Sequence, residues 1–277
     1  MINLEVTGKG SGTQARGQEA MLLATNYHIH THYSPCAASE MRLPAILDAA
    51  EEAGYERIGI SDHCYSFDLN SYRIRDLRQE LQEAAKERKI KVYLGIEAYI
   101  LRHRLGSITP QIAGLFDYVL VAPNHYHIRG VAQPTRLHPR ILGEHELYMF
   151  EATINSPITD VVAHPFVLSP RIFRIAPDRL AELARAMMES IDEKRLVGAL
   201  RTAQSRGIAI ELNPKFLRYG QTHLESFYKL CVELKVRLSF GSDAHMLDEI
   251  APDPQIRAFV DSLELTEEHI WSPELAR

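Results

Sequence analysis

The stretch Thr25-Asn26-Tyr27-His28-Ile29-His30-Thr31 sets the reading of the whole chain. It is short, rich in β-branched and aromatic side chains, and it ends in imidazoles. In an extended strand successive side chains alternate, so His28 and His30 point to one side and Ile29 to the other. Two imidazoles roughly 6–7 Å apart along a strand can close on one metal ion.

The same construction recurs along the chain. Short apolar runs at residues 25–30, 57–61, 91–96, 118–121, 160–163, 209–212 and 237–240 read as buried parallel strands. Helical periodicity fills residues 43–53, 76–89, 177–190, 193–206 and 224–234 between them, with Gly54 and Gly207 as stops. Seven β/α units predict an α/β protein, either a barrel or a doubly wound sheet. The strands after the first end in Ser61-Asp62-His63, Glu97, Asn124-His125-Tyr126-His127, Ala163-His164, Glu211-Leu212-Asn213 and Ser242-Asp243-Ala244-His245. In a parallel barrel all these ends open on one face, where active sites sit. Imidazole and carboxylate donors together suit zinc, iron(II) or manganese(II). Asp62 is expected to orient a neighbouring ligand, and Cys64 to pack. His32 and His127 are candidates for the pocket wall. His103, His138, His145, His223 and His269 have no such setting and read as surface residues.

With 277 residues, 45% apolar and 24% charged, the chain can bury a core without a structural metal, so a metal cluster would serve chemistry. Residues 22–277 read as one catalytic domain. Residues 1–21, with Gly8-Lys9-Gly10-Ser11-Gly12, read as a flexible N-terminal arm. A net charge of -5 weighs against long nucleic acid as a partner. No run has the length of a membrane span and the N-terminus lacks a signal-peptide core, so a cytoplasmic setting is expected. Three distant cysteines, Cys36, Cys64 and Cys231, agree with a reducing compartment. Oligomeric state has no readable signal.

The motifs His28-Ile-His30-Thr31, Ser61-Asp62-His63, Glu97, His125, Ala163-His164-Pro165 and Gly241-Ser242-Asp243-Ala244-His245 together resemble the PHP family, the polymerase and histidinol phosphatase group. The resemblance spans residues 27–245. It implies a distorted (β/α)7 barrel, two to three divalent metal ions and cleavage of phosphoester bonds. It further implies a first metal on His28, His30, Glu97 and Asp243, and a second sharing Glu97 with His125 and His164. A third would take His63, His245 and the residue six places after His30. Many relatives have His there; this chain has Cys36, whose thiolate is a sound ligand for zinc or iron. The stretch from Glu211 to Arg218 resembles a histidinol phosphatase segment in which an Asn and an Arg lie near the substrate phosphate. Phe166 stands where that subgroup usually has Asp.

The expected reaction is hydrolysis of a small phosphate monoester by a metal-bridging hydroxide. Arg218 is the expected phosphate clamp, with Lys215, Arg129 and Arg136 behind it. His127, Asp243 or a metal-bound water would protonate the leaving group. A nucleotide or oligonucleotide phosphodiesterase is the alternative on the same metals. Amide or lactone hydrolysis and a metal-binding module with a decayed site are further readings.

Overall fold

The computed structural model describes residues 22–65, 69 and 71–276. The expected arm at residues 1–21 lies outside them. The strands are β1 (Thr25–Ile29), β2 (Arg57–Ile60), β3 (Lys91–Arg102), β4 (Leu105–Gly106), β5 (Tyr118–Ala122), β6 (Val161–Val162), β7 (Ala209–Leu212) and β8 (Leu238–Phe240). Seven of them run parallel in the order β1-β2-β3-β5-β6-β7-β8, while β4 folds back antiparallel on β3. The segment beyond β8 returns to β1: the Asp243 amide donates to the His28 carbonyl at 2.8 Å and the His30 amide to the Ala244 carbonyl at 3.1 Å. The sheet thus nearly closes into the expected (β/α)7 barrel.

Helices cover the outside. Leu43–Glu52, Pro177–Glu189, Glu193–Arg206 and Leu224–Glu233 follow the expected periodicity. Ser71–Ala85 begins and ends about a turn earlier than expected, before the charged tail of its run. Besides the single turns Pro110–Ala113, Pro170–Phe173 and Lys215–Arg218, two helices of eight or more residues were not expected, Pro139–Ile154 and Pro254–Asp261. The first is buried on several sides, by Leu142, Gly143, Glu146, Leu147, Met149, Phe150 and Ala152 among others, so it lacks the one-sided stripe that marks a helix in sequence. β3 also outruns its expected end at residue 96. Beyond Glu97 it continues to Arg102, because the antiparallel β4 supplies new hydrogen-bond partners.

Two features aim side chains into the barrel. β1 carries an extra residue against β2, pairing Asn26 with Ile58 but Ile29 with Ile60. This bulge lets the consecutive Tyr27 and His28 both face inward, Tyr27 toward Tyr118 and Trp271 and His28 toward Glu211. Gly95 on β3 leaves room for the Tyr118 ring, into which a Cβ at that position would intrude. The N-terminal part of the interior is therefore aromatic, and the C-terminal part is polar. No helix among the described residues is long and apolar enough to cross a membrane.

Candidate metal centre

Glu97 lies at the middle of the polar end, fully buried on β3. Its Oε2 faces His63 Nδ1 at 2.5 Å and the Nε2 atoms of His28 and His30 at 3.6 Å each. Its Oε1 faces His125 Nε2 at 3.2 Å and His164 Nε2 at 3.0 Å. Asp243 Oδ1 completes the first group, 3.2 Å from His30 Nε2 and 3.7 Å from His28 Nε2. Cys36 Sγ lies 3.2 Å from His63 Nε2. His30, His63 and His245 bring ligand atoms within 4.8 Å of one another, as do His28, His30 and Glu97. All nine expected ligand residues therefore gather in one region, from six of the strands and their ends and from the loop after β1.

The hydrogen bonds behind these rings fix their tautomers. His28 Nδ1 is 2.6 Å from Glu211 Oε1, an acceptor. His30 Nδ1 is 3.1 Å from Ser34 Oγ, whose own proton goes to Asp62 Oδ1 at 2.7 Å. His164 Nδ1 is 3.1 Å from Asn124 Oδ1, which is oriented because Asn124 Nδ2 donates to the His164 and Val167 carbonyls. Each Nδ1 is thus the donor, and each ring turns its Nε2 toward the cluster, where a cation would take the lone pair. His28 Nε2 and His30 Nε2 face each other at 3.1 Å, beside the carboxylates of Glu97 and Asp243. Acceptors converge there on one point, which is the chemistry of a cation site; the donor set suits zinc, iron or manganese.

The electrostatics agree. Burial opposes ionisation of Glu97, but His125, His63 and His28 hold its carboxyl well below the usual range. Burial is likewise outweighed at Asp243 by Lys215 and His28. At His28 burial favours the neutral ring, yet Glu211, Glu97 and Asp243 outweigh it and raise the imidazole well above its usual pKa. Cys36 would be raised by burial, but hydrogen bonds from His245 and His63 bring it down to about 6, a thiolate at neutral pH. His164 and Asp243 both hold positive φ, 31° and 52°, a backbone cost tolerated where function fixes the geometry.

A cavity of about 640 Å³ opens over this cluster, lined by His63, His125, His127, His164, Lys215 and Asp243 among others. His127 is on its wall as expected, its ring 5.2 Å from that of His125. Partial burial first, then His125 and His63, bring His127 down to about 4, so it is neutral at pH 7; Arg171 lies close enough to add to the effect.

Several expectations meet a different arrangement. Arg218 does not line the cavity; its guanidinium is drawn to Glu249 at 2.6 Å. Lys215, three residues earlier on the same single turn, is there instead, with Nζ 2.6 Å from Asp243 Oδ2. Arg129 and Arg136 do not line it either, whereas Arg171 and Arg174 do. His32 stacks on Tyr33 with ring centroids 4.3 Å apart, away from the lining. Asp62 keeps its expected orienting part, acting on His30 through Ser34, with its oxygens taken up by Thr31 and Ser34. His269 is buried, not superficial: its Nδ1 accepts from the Thr266 amide at 2.9 Å as a helical cap. Cys64 is packed, its Sγ against Ser107 Oγ at 3.2 Å. Glu211, Ser34 and Asn124 received no role from the sequence, although Glu211 and Asn124 do stand at strand ends.

Fold and cluster together define a β/α barrel with a histidine–carboxylate centre at its C-terminal mouth. The chain belongs to the PHP-domain family, whose model matches residues 26–215. Among solved structures it is similar to a Listeria monocytogenes protein described as "the putative histidinol phosphatase hisK", at 11% identity and a TM-score of 0.59, over 84% of this chain and 99% of that one. A GH5 xyloglucan-specific β-1,4-glucanase, XEG5B, from a ruminal metagenomic library reaches a TM-score of 0.31 at 11% identity, over 88% of this chain and 94% of that one. No curated protein matches the chain.

Proposed function

We propose that this chain is a metal-dependent phosphomonoesterase. The observation that carries the reading is the Glu97 carboxylate. Its Oε2 faces His28, His30 and His63 and its Oε1 faces His125 and His164, so this one carboxylate could be shared between two ions, the first held also by His28, His30 and Asp243 and the second by His125 and His164. His63, His245 and Cys36 would hold a third. Bound divalent ions there supply Lewis acidity toward water and toward the phosphoryl oxygens.

The remaining work falls to the protein. Lys215 brings a cation to the cavity wall, anchored by the Asp243 carboxylate and by its carbonyl at 2.8 Å, where it would offset charge on a phosphoryl oxygen. His127, neutral at pH 7, stands on the cavity wall without a proton to give from an imidazolium, which leaves protonation of the leaving group to another donor. Glu211, Ser34 and Asn124 hold three imidazoles in the tautomer that leaves Nε2 free. Membership of the PHP family and the likeness of fold to the Listeria protein support a phosphoester substrate.

The test is metal analysis together with hydrolysis of p-nitrophenyl phosphate on one preparation. Two or more divalent ions per chain, with turnover abolished in His30→Ala and in Glu97→Gln, is the expected result. A fully metal-loaded protein that hydrolysed no phosphomonoester across a broad panel would end the reading.

A further inference from the structure

The cavity is far larger than the cluster needs. At about 640 Å³ it matches sites that enclose a whole organic ligand, roughly 300–1,000 Å³, rather than a phosphate alone. Away from the metal cluster its lining includes Val167, Ile172 and Tyr219, an apolar and aromatic surface for an organic group.

The charges on that lining are one-sided. The two carboxylates that line it, Asp243 of the cluster and Glu249, are both engaged. Asp243 pairs with Lys215, and Glu249 pairs with Arg218 through Oε1 while its Oε2 accepts from the His245 amide at 2.8 Å. Arg171 and Arg174 also line the cavity, and neither forms an ion pair among the described residues. Their placement is not that of an ordinary surface loop. Arg171 lies within the short turn Pro170–Phe173, and Arg174 ends it at φ 56°, a left-handed conformation that is unfavourable for an arginine. Phe166, fully buried at φ 63°, anchors the start of the same loop in the core. The chain is thus bent at two unfavourable points, with two unpaired guanidinium groups at the mouth of the cavity. Guanidinium offers bidentate geometry to a carboxylate or a phosphate. An ammonium group would meet two like charges there and no free carboxylate.

We propose that Arg171 and Arg174 form a second anion subsite, so that the substrate class is a phosphomonoester whose alcohol portion carries its own anionic group. This rests on the phosphomonoesterase reading for the reacting phosphate. It excludes amino alcohol phosphates such as histidinol phosphate as the preferred class, despite the likeness of fold to the Listeria protein.

The experiment is calorimetric titration of the metal-loaded full chain with three probes of one skeleton: benzylphosphonate, 4-carboxybenzylphosphonate and 4-(aminomethyl)benzylphosphonate. The carboxylate should tighten binding about tenfold over the parent, the size of two exposed charge pairs, and the ammonium should weaken it. In the double variant Arg171→Gln, Arg174→Gln the carboxylate advantage should shrink to within about twofold, and Arg171→Lys, Arg174→Lys should restore part of it. A thermal melt of each variant separates loss of the subsite from loss of the fold. Equal or tighter binding of the ammonium probe, or a carboxylate advantage that survives the double variant, overturns the proposal. Turnover of the corresponding aryl phosphates separates the two readings. Hydrolysis without charge preference removes the subsite alone. Charge-selective binding without hydrolysis of any ester removes the esterase alone.

Discussion

Glu146 is fully buried on the helix Pro139–Ile154, where one carboxyl oxygen accepts from the hydroxyl of Tyr126, the residue between His125 and His127. Its other oxygen has no hydrogen-bond partner among the described residues. Burial pushes this carboxyl up to about 7, above its usual value of about 4.3 in an unfolded chain. Between those values the folded state holds a proton that the unfolded state has lost, so stability falls as pH rises through the window. Glu146→Gln removes the titration. Its stability relative to wild type should grow by on the order of 3 kcal/mol from pH 4.5 to pH 8, read as the difference in urea unfolding at each pH. A difference that stays flat with pH would remove the buried proton from the account. Glu211 poses a second question at this scale. Glu211→Gln keeps the shape but loses the charge behind His28 Nδ1, and metal affinity should fall roughly 10–100-fold in a chelator competition. The histidines that gather around Glu97 could be read from sequence as a group because each stands at the end of a short apolar run. Their orienting partners could not, because Glu211 meets His28 across 183 positions of chain. Arg218 misled for a related reason: on a single turn, which cation faces inward depends on whether Glu249 or Asp243 is the nearer carboxylate.

Elements set the accuracy of the site. The bulge in β1 turns Tyr27 and His28 inward together, and strict alternation, which correctly put His28 and His30 on one side, gives no hint of it. The helix Pro139–Ile154 escaped notice because a helix buried all round has no period to show. β6 keeps its expected place yet ladders through two residues, because His164 leaves the strand at positive φ. Just beyond β8, Gly241 makes the close approach between strands possible. A Cβ there would collide with the Glu211 carboxylate and come within 2.7 Å of the His28 Cβ. Gly241→Ala should therefore cost about 1–3 kcal/mol by overpacking and also lower metal content, because Glu211 must leave His28. Unfolding and metal analysis of the same sample check both. A variant destabilised by that amount with full metal occupancy would show that Glu211 does not orient His28.

At the scale of the molecule, the seven β/α units and the gathering of their polar ends on one face could be read before any coordinates, whereas periodicity left barrel and doubly wound sheet open and the family resemblance alone implied the barrel. The other end could not be read. Trp271 comes from the C-terminal tail, where its amide donates to the Leu238 carbonyl at the start of β8. Its fully buried ring packs edge-on to Tyr27 at 5.6 Å and Tyr118 at 5.7 Å, closing the interior opposite the metal centre. Periodicity assigns no destination to a lone tryptophan in a polar tail, so neither the plug nor its target was foreseeable. The two ends divide the labour: one is closed by packed aromatic rings, the other gathers the histidines and carboxylates of the cluster. Trp271→Ala should cost about 3–5 kcal/mol through the cavity it leaves. Because the truncation removes no group within the Glu97 cluster, metal stoichiometry and turnover per folded molecule should stay near wild type below the new melting transition. Thermal unfolding followed alongside metal content tests this division. Metal loss at temperatures where the variant is still fully folded would mean that the aromatic plug also sets the spacing of the strand ends that carry His28 and Glu97.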